Sequence, residues 1–236
     1  MNDLYWHFLR EDRCMQHPPH TLVEAGSTYT AVGPLWLCGN GMHASVQAID
    51  ALEYAPGNIV CRVRLGEERV SDTDKVCARE RTVLWMADAA PVLHEFSCLL
   101  AQRALDHATE RGHPPDPRST AVLVAKRAWL RGELDDAALD AAGVQAKEAS
   151  RDAHGAASEA DWGSAWAAAK VAARDTIYEV IKAAVWIVTR DAVPPMVNVD
   201  AFYEARAIAG GIARAAINAE FEPLLDALAP PERTAA

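Results

Sequence analysis

The sequence predicts an α+β protein, with a small mixed strand-bearing N-terminal domain over residues 1–89, an alanine-rich antiparallel helical bundle over 90–229 and a flexible tail over 230–236. Three observations carry this. Apolar residues alternate with period two in several short runs before residue 88. Beyond Ala90 they recur at three- and four-residue steps. Alanine, the strongest helix former, then dominates the long segments between proline and glycine punctuation.

In chain order, Leu4-Tyr5-Trp6-His7-Phe8-Leu9 is short and aromatic, which suits a strand. His17-Pro18-Pro19-His20 reads as a loop, because consecutive prolines lack amide donors. Two extended segments are expected at Ser27 to Val32 and Leu35 to Cys38. Gly39-Asn40-Gly41 signals a turn, after which Ser45 is expected to cap a helix through Val46, Ile49, Leu52 and Tyr54. Pro56-Gly57 stops it. Asn58 to Leu65 alternates Ile59, Cys61, Val63 and Leu65 against Arg62 and Arg64 as a strand, and Lys75 to Trp85 reads as one more.

Val92, Leu93, Phe96, Leu99, Leu100, Ala104 and Leu105 mark a helical face from Ala90 to about Arg111, ended by Gly112 and Pro114-Pro115. Ser119 is the expected cap of the next helix, which runs to Gly132. Helical segments follow at 135–159, 161–190 and 200–228. In the middle one Trp162, Trp166, Ala169, Ala173, Ile177, Val180, Ala184 and Val188 form one apolar seam. Alanine permits close helix approach there, and Trp129, Trp162, Trp166 and Trp186 supply bulk.

Charge narrows the function classes. The chain carries a net charge of -10. Residues 1–95 hold 8 basic and 13 acidic side chains and the remainder 15 and 20, so no basic region hides behind the average. Direct nucleic-acid binding is disfavoured, because it needs clustered Lys and Arg. The five cysteines are odd in number, widely spaced and without a preceding secretory signal, which predicts reduced thiols and a cytoplasmic protein. No apolar run approaches the roughly 20 residues of a membrane helix, so no membrane association is expected.

The densest local feature is Cys38-Gly39-Asn40-Gly41-Met42-His43-Ala44-Ser45, a glycine turn that presents an imidazole. Gly39, Gly41, His43 and Ser45 are the candidate ligand-binding residues, the ligand being anionic. The competing reading is a tight turn in which His43 bonds nearby backbone. No second Cys or His pair stands at ligand spacing from Cys38 and His43, so no metal site is expected. Phosphate-loop, nucleophile-elbow and His-Glu-x-x-His motifs are absent, which weighs against catalysis without closing the question.

Tyr5-Trp6-His7-Phe8-Leu9, Cys38 to Ser45, Asp50-Ala51-Leu52-Glu53-Tyr54-Ala55-Pro56-Gly57 and Asp74-Lys75-Val76 together resemble an uncharacterised domain family common in tailed-phage and prophage genomes. The resemblance spans about residues 4 to 95. From about Leu93 to Val193, Glu95-Phe96-Ser97-Cys98 and Ala128-Trp129-Leu130-Arg131-Gly132-Glu133 are similar to immunity-protein-like helical domains. These resemblances imply a phage-type accessory protein that binds and inhibits another protein, such as a host defence or toxin component. A homo-oligomer is compatible with this and no cofactor is expected. The alternative is a nucleotide-binding module or enzyme, since the order of His43, Tyr54 and Glu80 resembles ADP-ribosyltransferase folds. That resemblance implies NAD as cofactor, with His43 anchoring it, Tyr54 stacking on it and Glu80 orienting the sugar.

Overall fold

A computed structural model describes residues 4–155, 159–172, 177–193 and 199–231. Two compact units emerge. One comprises Met1–Ala90 together with Asn218–Ala236, and the other Pro91–Ile217. The α+β class is as the sequence predicts, with strands confined to the N-terminal part and helices dominating the rest of the chain.

In the first unit the strands are β1 (Leu4–Leu9), β2 (Thr28–Thr30), β3 (Met42–Ala44), β4 (Ile59–Leu65), β5 (Arg69–Ser71), β6 (Val76–Ala78) and β7 (Glu80–Asp88), with α1 (Ala48–Glu53) after β3. They form an antiparallel sheet of order β1-β4-β7-β2 and a smaller one of order β3-β6-β5. Period-two alternation sends Tyr5, Leu9, Ile59, Cys61, Val63, Leu65 and Val83 into one core, where they meet Ala44, Val76 and Ala78 of the smaller sheet. His7 pairs across from Cys61 and Arg81 from Leu65, so two polar side chains share the inner face with this core. Trp6, Phe8 and Val60 alternate onto the opposite face, also buried.

Four expectations change here. Leu35 to Cys38 is not extended. The Trp36 carbonyl accepts from the amides of Gly39 and Asn40 at 3.3 and 3.2 Å, and the Asn40 side chain donates to the Val32 and Pro34 carbonyls at 2.8 Å each, folding the segment into a turn. His43 sits in β3, not at a turn immediately before a helix, because residues 42–44 pair with β6. Lys75 to Trp85 is two strands in different sheets. The break falls at Arg79, whose guanidinium clamps the Glu68 carboxylate and the Ala31 carbonyl while its amide donates to Glu68.

The fourth change is the cap of α1. Ser45 exchanges backbone hydrogen bonds with Trp6 at 2.8 and 2.9 Å and is not the N-cap. Gln47 takes that position without a side-chain bond. Glu222 Oε1 instead accepts from the Ala48 amide at 3.0 Å and from Trp6 Nε1 at 3.0 Å, and Asn218 Oδ1 accepts from the Ile49 amide at 3.0 Å. Exposed amides of a first helical turn need acceptors, and here the acceptors lie far along the chain. This is the physical reason that residues 218–229 group with the N-terminal unit, whereas the sequence places them in the 90–229 bundle.

The second unit contains α2 (Ala90–Glu110) from residue 91, α3 (Pro117–Leu130), α4 (Asp136–Gly155), α5 (Glu159–Val171), α6 (Ile177–Ala192) and α7 (Val199–Asp226) as far as Ile217. The helices α3, α4, α5 and α6 pack consecutively, and α3 also meets α5. Asp116, not Ser119, caps α3 by accepting from the Arg118 amide, and Ser119 is buried in the first turn. The segment 161–190 divides into α5 and α6, and residues 173–176 lie outside the described residues, as does the seam position Ala173. The side chain of Ile177 is outside them too, as is the tail beyond Pro231. Of the remaining seam, Ala169, Val180 and Ala184 are buried, while Val188 is 52% exposed. Trp162 stacks on Trp166 at 5.4 Å and meets Trp186 edge-on at 5.2 Å, so these rings fill space against one another.

Candidate functional site

The first unit holds a cleft of about 880 Å³ walled by β1, β3, the 15–21 and 29–32 segments, the 38–41 turn and residues Tyr54, Lys75 and Arg81. Volumes near this suit a small organic ligand. Gly39, Gly41, His43, Ser45 and Tyr54 all line it, so the structure brings together five of the six residues singled out from sequence. The sixth, Glu80, does not line the cleft. Strand alternation turns Glu80 outward to solvent, where its backbone carbonyl accepts from the Gly66 amide at 3.0 Å, and turns its neighbour Arg81 inward.

The two glycines serve the turn. A Cβ on Gly39 would overlap the Trp36 indole at 1.2 Å, and one on Gly41, where φ is +138°, would lie 2.2 Å from Cys77 Sγ. The Ser45 amide and carbonyl are both committed to Trp6. Tyr54, just past the end of α1, donates its phenol to Asp74, receives a bond from Lys75 Nζ at 3.1 Å, and has that ammonium 4.5 Å from its ring centre. These bonds to Tyr54 and Cys38 raise the Lys75 pKa, so Lys75 is a firm cation at the cleft wall.

His43 Nδ1 lies 3.1 Å from the Gly41 carbonyl, so the imidazole makes the expected bond to nearby backbone from its place in β3. Its Nε2 is buried without a protein partner among the described residues. Burial lowers the His43 pKa, the Gly41 bond partly offsets this, and the charges of Arg81, Lys75 and His17 add to the lowering. His7 is driven well below its ordinary value by burial first, then by Arg81 and His43. Both imidazoles are therefore neutral at pH 7.

Sequence reading missed Arg81 and His7. Arg81 is 3% exposed. Its Nη1 donates to the His43 carbonyl at 2.8 Å, and its Nε, also buried, has no partner among the described residues. Burial pulls its pKa down to about 10, so it stays charged at neutral pH. Among the described residues no Asp or Glu side chain lines the cleft, although the chain as a whole carries a charge of -10. A buried cation with no carboxylate is costly, and the cost falls when an anion enters. The signal available in sequence was the inward phase of Arg81 on a strand whose next inward residue is Val83.

Among the described residues no three His, Cys, Asp or Glu side chains converge as a metal-ligating group, and no helix is long and apolar enough to cross a membrane. All five cysteines are free. No family model, curated protein or solved structure matches the chain.

Proposed function

We propose that the N-terminal unit is a binding module for a small anionic ligand, of the size and charge of a nucleotide, held in the cleft by Arg81. The single observation that carries this reading is the buried guanidinium of Arg81 in a cleft lined by Lys75, His7, His17 and His43 and, among the described residues, by no carboxylate. An anion there gains a charge-assisted hydrogen bond in a low-dielectric setting, worth about 1.5–3 kcal/mol. Glycosyl transfer from NAD receives no such support, because Glu80 faces away from His43 and Tyr54 and the Tyr54 ring already carries the Lys75 ammonium.

Titration calorimetry with AMP, ADP-ribose, NAD and inorganic phosphate tests the reading. Binding of at least one of them, abolished in Arg81→Met, is the expected result. Failure of all four to bind at millimolar concentration counts against it.

A second reading, a protein-binding accessory or inhibitor, is favoured by a separate observation in the helical unit. Ile208 and Ile212, one turn apart on α7, are 59% and 67% exposed. Apolar side chains adjacent on one helix face and left to solvent mark a contact surface. The tagged protein is expected to retain one stoichiometric partner from the bacterial host at low salt, and Ile208→Asp to release it. Retention by the variant would sink this reading.

A further inference from the structure

Two side chains that line the cleft, His43 and Arg81, each carry an orphaned polar atom, and the two atoms are of opposite kind. A carbonyl only accepts, so the 3.1 Å contact between His43 Nδ1 and Gly41 O places the imidazole proton on Nδ1. In the neutral ring Nε2 then carries a lone pair and accepts. Arg81 Nε, in contrast, can only donate. Both atoms are buried, and neither has a protein partner among the described residues. The Arg81 guanidinium reaches the backbone of the strand that carries His43, its Nη1 donating to the His43 carbonyl at 2.8 Å.

A ligand that satisfies both must bring an acceptor for Arg81 and a donor for His43 on one small group. A carboxylate or a sulfate brings acceptors alone and sets a lone pair against Nε2. A phosphate group ionises its second proton near pH 6, so it readily supplies both a P–O⁻ and a P–OH.

We propose that the cleft recognises a terminal phosphate, as inorganic phosphate or a phosphate monoester, through Arg81 Nε–H to P–O⁻ and P–OH to His43 Nε2. This rests on the anion-binding reading above and adds the identity of the group. When the ligand in solution is the dianion, forming this pair takes up about one proton from solvent, carried on the phosphate or shared with His43. The groups facing His43 are Arg81 from β7, His7 from β1, Cys77 paired with it on β6, Lys75 ahead of β6 and His17 from the 15–21 segment. None of them is a carboxylate, so none competes for that proton at neutral pH. Cys77 is a buried thiol whose pKa burial raises, and it stays protonated.

The test uses the full chain and the ion pair phosphate and sulfate, which match in shape and differ in the proton. At pH 7.5 phosphate should bind about tenfold or more tighter than sulfate, because the acceptor left unpaired by sulfate weakens its complex. Calorimetry in two buffers of different ionisation heat should return uptake of about one proton per phosphate. Glucose 6-phosphate and AMP in place of phosphate distinguish a monoester from the free ion by which binds tighter. His43→Asn should bring phosphate and sulfate to within about threefold of one another. Equal affinity of the wild-type protein for phosphate and sulfate, without proton uptake, overturns the donor and acceptor pairing while leaving the cleft an anion site. Failure of phosphate, glucose 6-phosphate and AMP alike to bind overturns the phosphate assignment, and failure of ADP-ribose and NAD as well overturns the anion-binding reading with it. The comparison of ions on the unaltered protein stands even if a variant fails to fold.

Discussion

At the scale of single residues the tension sits on Arg81. Among the described residues its burial serves no ion pair, so it taxes the fold; even a buried ion pair replaced by apolar side chains of similar volume is often neutral or stabilising by about 1–4 kcal/mol, and an unpaired charge has no Coulombic attraction to lose. Arg81→Met forfeits the bond to the His43 carbonyl, worth about 1 kcal/mol. The variant is therefore expected to melt at or above the wild-type temperature in the absence of ligand while losing anion binding. A fall in melting temperature of many degrees would show that Arg81 is structural. The histidines give a matching pH dependence. His7 and His43 have folded pKa values below the ordinary 6.5, so the unfolded chain binds more protons between the folded values and 6.5. Their contribution is complete above about pH 6.5 and is lost as pH falls through the folded values. Carboxylates held down by arginine partners, such as Asp116 beside Arg118, give way only in more acidic solution. Melting temperature should therefore decline between about pH 7 and 5, and His43→Asn should flatten that decline. A flat wild-type profile over this interval would refute it.

At the scale of elements, the part of the site that was legible is the part written locally. The Gly39-Asn40-Gly41 signal located the turn, and the bond from His43 to the Gly41 carbonyl is two residues long. Residues whose position depends on distant partners were not legible. Arg81 shares the phase of Val83, but which phase faces inward depends on β7 pairing β4 in a register that sets Arg81 opposite Leu65, and that partner lies outside the local sequence. The break at Arg79 likewise depends on Glu68 and Ala31. Gly41 gives the element-level prediction. With φ at +138° and Cys77 Sγ 2.2 Å from where a Cβ would lie, Gly41→Ala must displace either β3 or β6. A loss of about 1–3 kcal/mol in denaturant unfolding is expected. Adding Cys77→Ala should recover part of it, since one of the two penalties is steric and the other is backbone strain. No recovery would place the whole cost in φ.

At the scale of the molecule the N-terminal unit is discontinuous in sequence, and this was the least legible feature of all. Helical spacing runs from residue 217 into 218–226 with no break at the boundary, and Pro223 falls inside the helix without ending it, yet Asn218 and Glu222 supply the acceptors for the first turn of α1 and for the Trp6 indole. Phe221 and Leu225, one turn apart on the same helix, are each 0% exposed. A chain ended at Ile217 loses two buried side chains, at roughly 1.5–3 kcal/mol each, and leaves the two α1 amides and the indole N–H without these acceptors. That sum is comparable to the whole stability of an ordinary domain. The truncated chain should therefore lose the near-ultraviolet circular dichroism of Trp6 and Trp85, which lie 6.0 Å apart edge to face in the intact protein. It should also lose anion binding, although among the described residues none after Arg81 lines the cleft. A synthetic peptide of residues 218–231 added in excess should restore both signals, because the missing acceptors and apolar side chains are carried within it. If the truncated chain keeps its tryptophan signal and its affinity, the last helix is dispensable to the N-terminal unit and the account of the α1 cap is wrong.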